Sequence, residues 1–196
     1  DYCHANHLEF WQLVEQSERD VWPRLENIWR AMTDTVKRGL ASKQIILPGT
    51  LELARRAGTT HSRALGLKGT PRELGLVAAY ALAVAEENAA GMQVVTAPSC
   101  GAAGVLPAVL YYVKARRRVP QRRILEALAT AGLFGASIRA NATVSGAEAG
   151  CQAEIGSACA MAAAALAELF DMDLEHIEYA AEVAMEHHLG LTCDPI

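Results

Sequence analysis

Two stretches late in this 196-residue sequence gather side chains that could do chemistry. Asn141-Ala-Thr-Val-Ser145-Gly146-Ala-Glu148-Ala-Gly150-Cys151-Gln-Ala-Glu154-Ile-Gly156 sets polar groups and a thiol among glycines, with few bulky neighbours. Met185-Glu186-His187-His188-Leu-Gly190-Leu-Thr-Cys193-Asp194-Pro195 puts acid, imidazole and thiol in one short run. Glycines allow close backbone approach, and thiolates beside glycine turns are natural ligands for soft metal centres. Cys151 is expected near the N-terminal end of a helix, where the dipole and free N–H groups favour a thiolate. Cys193 is expected just past the C-terminal end of another helix, in a turn fixed by Pro195.

The elements that must position these groups read as helices. Apolar residues recur at helical spacing nearly throughout, and alternating β-branched runs are almost absent. The pattern predicts helices over 8–17, 20–39, 50–66, 71–91, 102–117, 121–138, 148–170 and 173–188, in an all-α, compact multi-helix domain with Gly-rich loops at its site. Thr50 and Thr70 read as N-caps, and Asp171 or Asp173 as the cap of the last helix. The one extended piece, Met92 to Thr96, runs into the Pro98-Ser99-Cys100-Gly101 turn and then a helix, which makes an anion-binding N-terminus. Nothing divides the chain, so 1–196 reads as a single domain.

Composition narrows the function classes. Hydrophobic residues make up 52% and aromatics only 6%, which suits closely packed helices built on alanine, leucine and valine. A net charge of −4 argues against nucleic acid. The Arg116–Arg118 and Arg122–Arg123 cluster flanks Pro120 and reads as a solvated helix connection. No stretch is long enough to span a bilayer, and no secretory signal is read at the start. Five scattered cysteines without a zinc-type spacing fit a reducing, cytoplasmic setting. Cys159, inside the Ala-rich helix, reads as core, Cys3 and Cys100 read as non-ligands, and His176 and His188 read as surface.

Further motifs point to a family. Leu47-Pro48-Gly49, Glu86-Glu87-Asn88 with Gly91, Thr96-Ala97-Pro98-Ser99-Cys100-Gly101 and Leu106-Pro107-Ala108 accompany the two late stretches in the same order as in a known group. From about Leu47 onward the sequence resembles the α domain of the bacterial iron–sulfur L-serine dehydratases, which convert L-serine to pyruvate and ammonia without pyridoxal phosphate. The resemblance implies a 4Fe-4S cluster on three cysteines. Two of those positions are Cys151 and Cys193, and the third is expected shortly beyond Ile196, so the sequence reads as an α-domain fragment. It also implies a β domain, on the same chain or a partner subunit, that contributes a serine–histidine motif, and a homo-oligomeric enzyme.

On that resemblance an open cluster iron acts as a Lewis acid for the leaving hydroxyl, and His187 beside Glu186 stands at the position of a base. Substrate contacts are expected from Thr96, Ser99, Gly101, Asn141, Ser145, Gly146 and Glu148, because an amino acid needs donors for its carboxylate and an acidic acceptor for its ammonium. The Ser99–Gly101 turn suits the carboxylate, and Glu148 the ammonium. Asn141 and Ser145 equally suit capping of the helix beginning near Glu148, and Glu86, Glu87 and Asn88 either support the site or close their helix. Arg139 stands where many members carry lysine, which keeps the charge but removes a proton-transfer amine. Lys37, Lys43, Lys68 and Lys114 lack a Gly/Ser-rich setting suited to a Schiff base. An L-cysteine desulfidase-like lyase and a non-catalytic helical scaffold remain as alternatives.

Overall fold

Helical spacing of apolar side chains becomes ten helices in the computed structural model, which describes residues 1–191. They are α1 (Tyr2–Asn6), α2 (Phe10–Ser17), α3 (Val21–Ala41), α4 (Ala57–Leu65), α5 (Gly69–Ala89), α6 (Val105–Arg117), α7 (Gln121–Asn141), α8 (Gly146–Ala149), α9 (Cys151–Leu169) and α10 (Leu174–Glu186). Among the described residues there is no strand, only an isolated Ile46–Ala54 bridge, so the all-α expectation holds.

The Ala-rich α9 is the hub. It packs against α7, α10 and α6, and buries Ala158, Ala160, Ala162, Ala164, Ala165 and Ala167. Side chains this small let the helix axes approach closely. Trp29 and Met32 of α3, Leu106 and Leu110 of α6, Ile124 and Leu128 of α7, and Met161 of α9 fill the main core. Each fully buried aliphatic among them, such as Leu110 or Ile124, contributes roughly 1.5–3 kcal/mol. A second cluster joins Phe10 to Ala160 and Ala164 of α9 and to Leu174 and Ile177 of α10, with Phe10 edge-on to Phe134 at 5.3 Å. No helix of the described residues is long and apolar enough to cross a membrane.

Several local expectations are corrected. The helix expected from Thr50 begins at Ala57. The preceding chain folds into a hairpin-like loop instead, in which Leu47 N–H donates to the Leu53 carbonyl (2.7 Å) and Arg55 N–H to that of Ile45 (2.8 Å). The start of α4 is capped from a distance, because Glu86 Oε1 accepts from Ala57 N–H at 3.0 Å and from Arg56 N–H. Thr70 is no cap either, since α5 begins at Gly69 with Lys68 at the N-cap position. Of the two candidates for α10, Asp173 is the cap, accepting from His176 N–H at 2.9 Å. The helix expected to begin at 148 is broken at Gly150, whose φ of 84° suits glycine and separates α8 from α9.

The basic cluster is used in packing. Arg122 lies over the Trp22 ring, 3.4 Å from its centroid, and Arg123 pairs with Glu126 at 2.9 Å and with Asp171.

Candidate active site

Two loops and the first turn of α9 meet at one end of the bundle. The first loop, 92–104, leaves α5 and is anchored by side chains from behind. Arg38 donates to the Gln93 carbonyl (3.0 Å), and Asn88 Nδ2 donates to the Cys100 carbonyl (3.1 Å). Glu87 is buried against Arg55 (3.0 Å) and Arg38, while Glu86 holds α4 as described above. Asn88 therefore braces this loop directly and Glu87 does so through Arg38, whereas Glu86 serves the start of α4. Residues 92–96 make no sheet ladder, and Thr96 is exposed.

The second loop runs from α7 through α8. Asn141 closes α7, and its amide turns back onto the Ser137 carbonyl (2.9 Å), so it does not cap the next helix. Ser145 sits at the N-cap position of α8 without a side-chain cap bond. Thr143 takes the polar role there, accepting from Ser145 N–H (3.1 Å) and donating to the exposed Glu148 carboxylate. Glu148 is thus engaged in its own turn.

What joins the loops is Glu154, one turn into α9. Its carboxylate accepts a hydrogen bond from Ser99 Oγ, and Ser99 Oγ in turn accepts from Ala102 N–H (3.4 Å). A methyl group placed on Gly101 would lie 2.6 Å from Glu154 Oε1, and one on Gly146 would lie 2.5 Å from Oε2 and 3.8 Å from the Cα of Cys151. A side chain at either glycine would push this carboxylate out of its place. Ser99, Gly101 and Gly146 accordingly surround one acid, and Gly146 also lies against the Cys151 backbone. Cys151 itself is the exposed first residue of α9, at the positive end of the helix dipole.

The chain end of the described region comes to the same place. Gln152 Nε2 donates to the Leu191 carbonyl, and His188 packs on Gly156 of α9, where an added Cβ would meet the His188 Cβ at 3.4 Å. Cys193 lies outside the described residues. Glu186 and His187 are exposed at the end of α10, with His187 N–H bonded to the Val183 carbonyl (3.1 Å) and its ring near that of His188. His188 is not a plain surface residue, nor is Cys159 simply core. The two are half-buried and face each other, Sγ to Nε2 at 3.6 Å, and burial pushes the Cys159 thiol up.

Glu154 and Gln152 are the site residues that sequence reasoning passed over. Their spacing from Cys151, three positions and one, was the only available signal. A cavity of about 310 Å³ beside Lys68, Arg72, Tyr112 and Arg116 shares no lining residue with this site.

An all-helical domain thus gathers a thiol, an acid and glycine-lined loops at the start of one helix. The serine dehydratase alpha chain family matches residues 4–196, and the chain belongs to that family. It is 48% identical over 184 residues to an L-serine dehydratase of Streptomyces coelicolor, covering 92% of this chain and 40% of that protein. It is 45% identical over 190 residues to L-serine dehydratase TdcG of Escherichia coli (94% and 42%), and 48% identical over 191 residues to an L-serine dehydratase of Haemophilus influenzae (94% and 42%). The chain thus spans about two fifths of the length of the curated relatives it matches.

Proposed function

We propose that this chain is the α part of an iron–sulfur L-serine dehydratase, which eliminates water from L-serine and yields pyruvate and ammonia. The observation that carries the reading is the meeting of Ser99, Gly101, Gly146 and Glu154 beside Cys151, in a chain of this family.

Among the described residues no three potential ligands gather at one point, so the support for a 4Fe-4S cluster is Cys151 together with membership of the family. Cys151 offers a thiol at an exposed helix start, and the Gln152–Leu191 bond draws the chain leading to Cys193 toward the same point. Cys151 and Cys193 would hold the cluster together with a third cysteine of the complete enzyme. A cluster so held supplies a Lewis-acidic iron for the departing hydroxyl. The chain's own part is binding and orientation. The 99–101 turn receives the substrate carboxylate, and Thr96, Asn141 and Ser145 line the approach with donors and acceptors. His187, next to Glu186 in the sequence, is the proposed base for the α-proton. The β domain is the proposed partner that completes the enclosure.

The test is anaerobic reconstitution of the full-length protein with iron and sulfide, followed by pyruvate formation from L-serine with iron measured in the same sample. Iron-dependent pyruvate release supports the reading. Sulfide release from L-cysteine without turnover of L-serine would replace it with a desulfidase. No turnover of either, despite bound iron, would leave a scaffold.

A further inference from the structure

We propose that Glu154 is the acceptor of the substrate's ammonium group, a role that rests on the amino-acid lyase reading above and adds a residue to it.

Glu154 differs from the other enclosed acids of this chain. The buried carboxylates are each answered by arginine: Glu86 by Arg55, Glu87 by Arg38 and Arg55, Glu126 by Arg122 and Arg123, and Glu168 by Arg123. This is the ordinary rule, because an enclosed charge without a counter-charge is costly. Glu154 is part-buried between two loops, and its described partner is the neutral hydroxyl of Ser99. Among the described residues no lysine, arginine or histidine pairs with it. The acid therefore stands ready for a cation that the fold does not supply.

Its surroundings define which cation. The carboxylate lies against Gly101 and Gly146, where the absence of side chains leaves backbone within van der Waals reach. It stands one turn along α9 from Cys151, on the side of the helix reached by the Ser99 turn. A small primary ammonium carrying a carboxylate two bonds away matches this spacing, with the carboxylate on the 99–101 turn and the hydroxyl toward Cys151. Glu148, the acid that sequence alone suggested, also accepts from a neutral hydroxyl, that of Thr143, but it is exposed to solvent and so is the weaker candidate.

The experiment measures equilibrium binding by calorimetry to the full-length, iron-loaded protein, using L-serine and 3-hydroxypropionate, which keeps the hydroxyl and carboxylate but lacks the amine. Glu154→Gln is expected to weaken L-serine binding by about 10- to 100-fold, the size of a lost charged hydrogen bond, and to leave 3-hydroxypropionate within about twofold. Glu182→Gln, an exposed acid on α10, should change neither ligand. Equal loss of both ligands would make Glu154 a loop support and overturn the proposal. So would an amine-selective loss in Glu148→Gln in place of Glu154→Gln, or a wild-type protein with no preference for the amine. If Glu154→Gln loses its fold or its iron, Glu154→Asp keeps the charge and should still weaken L-serine selectively; equal effects on both ligands there also overturn the assignment. Amine-dependent binding through Glu154 without pyruvate formation would sink the dehydratase reading and keep this one.

Discussion

The thiol of Cys159 on α9 points at the imidazole of His188, with Sγ 3.6 Å from Nε2, while His188 Nδ1 lies 2.9 Å from the Ala184 carbonyl. A carbonyl only accepts, so in the neutral ring Nδ1 carries the proton and Nε2 offers its lone pair to the S–H group. Burial raises the Cys159 pKa, which agrees with a thiol donor in place of a thiolate. The pair therefore fastens the turn that follows α10 to α9, which reads as a packing contact and not a ligand pair. Cys159→Ala is expected to keep iron content and turnover, at a cost of about 1 kcal/mol. With His188→Ala the two costs should be non-additive by about 0.5–1 kcal/mol, read from urea unfolding of the single and double variants. Bleaching of the Cys159→Ala protein while Cys151→Ala stays brown would mean that the ligands are misassigned.

Cys151→Ala is expected to abolish both the brown absorbance and pyruvate formation in the full-length enzyme, with the helical circular dichroism unchanged. Gln152→Ala provides the finer check. Its side chain ties the start of α9 to Leu191, near the expected second ligand, and partners of this kind typically cost about 10- to 100-fold in metal affinity or activity when removed. The measurement is iron retained after gel filtration against a chelator series. Full retention in Gln152→Ala would separate that bond from the metal site.

Gly101→Ala and Gly146→Ala test the glycine walls. Each new methyl would sit within 2.6 Å of a Glu154 oxygen, but that oxygen ends a flexible side chain, so the acid swings away and the fold survives. The expected result is a melting temperature close to wild type and a rise in KM for L-serine of about tenfold or more, since displacement by an ångström at a site can cost on the order of a hundredfold. In a Glu154→Ala background, where the methyl has nothing to displace, neither alanine should add a further loss. An additive loss there would mean that the glycines act independently of the acid.

Most of the fold was legible because helical periodicity and Ala-rich composition are local signals, and α2, α3, α6, α7, α9 and α10 begin or end within a few residues of expectation. The start of α4 was not legible. Thr50 carries the right residue type, yet the cap comes from Glu86, and the residues after Thr50 are drawn into the 45–55 loop. At the site, the thiol and glycines announced themselves by type and order. Glu154 did not, because its meaning depends on Ser99, 55 positions earlier, and on two glycines from different loops. The Cys159–His188 pair was hidden for the same reason, being 29 positions apart.

The buried end of α9 offers a prediction with a defined sign. Glu168 is buried, accepts from Thr130 Oγ1 (2.9 Å) and lies 3.7 Å from Arg123 Nη1, yet burial outweighs these partners and raises its pKa. The folded state thus holds the Glu168 proton more tightly than the unfolded chain does. The stability from that proton is fully present below the ordinary glutamate value of about 4.3 and is lost as pH rises through the raised folded value. Glu168→Gln removes the titration, can still accept from Thr130, and leaves Arg123 with Glu126 and Asp171. The variant should therefore gain on wild type as pH rises from about 4 and level off once wild-type Glu168 is fully ionised, ending near neutral pH within about 1 kcal/mol of wild type or above it. Urea midpoints at half-unit steps from pH 4 to 8 provide the check. A variant that instead falls further behind as pH rises would show that Arg123 outweighs burial at this carboxylate.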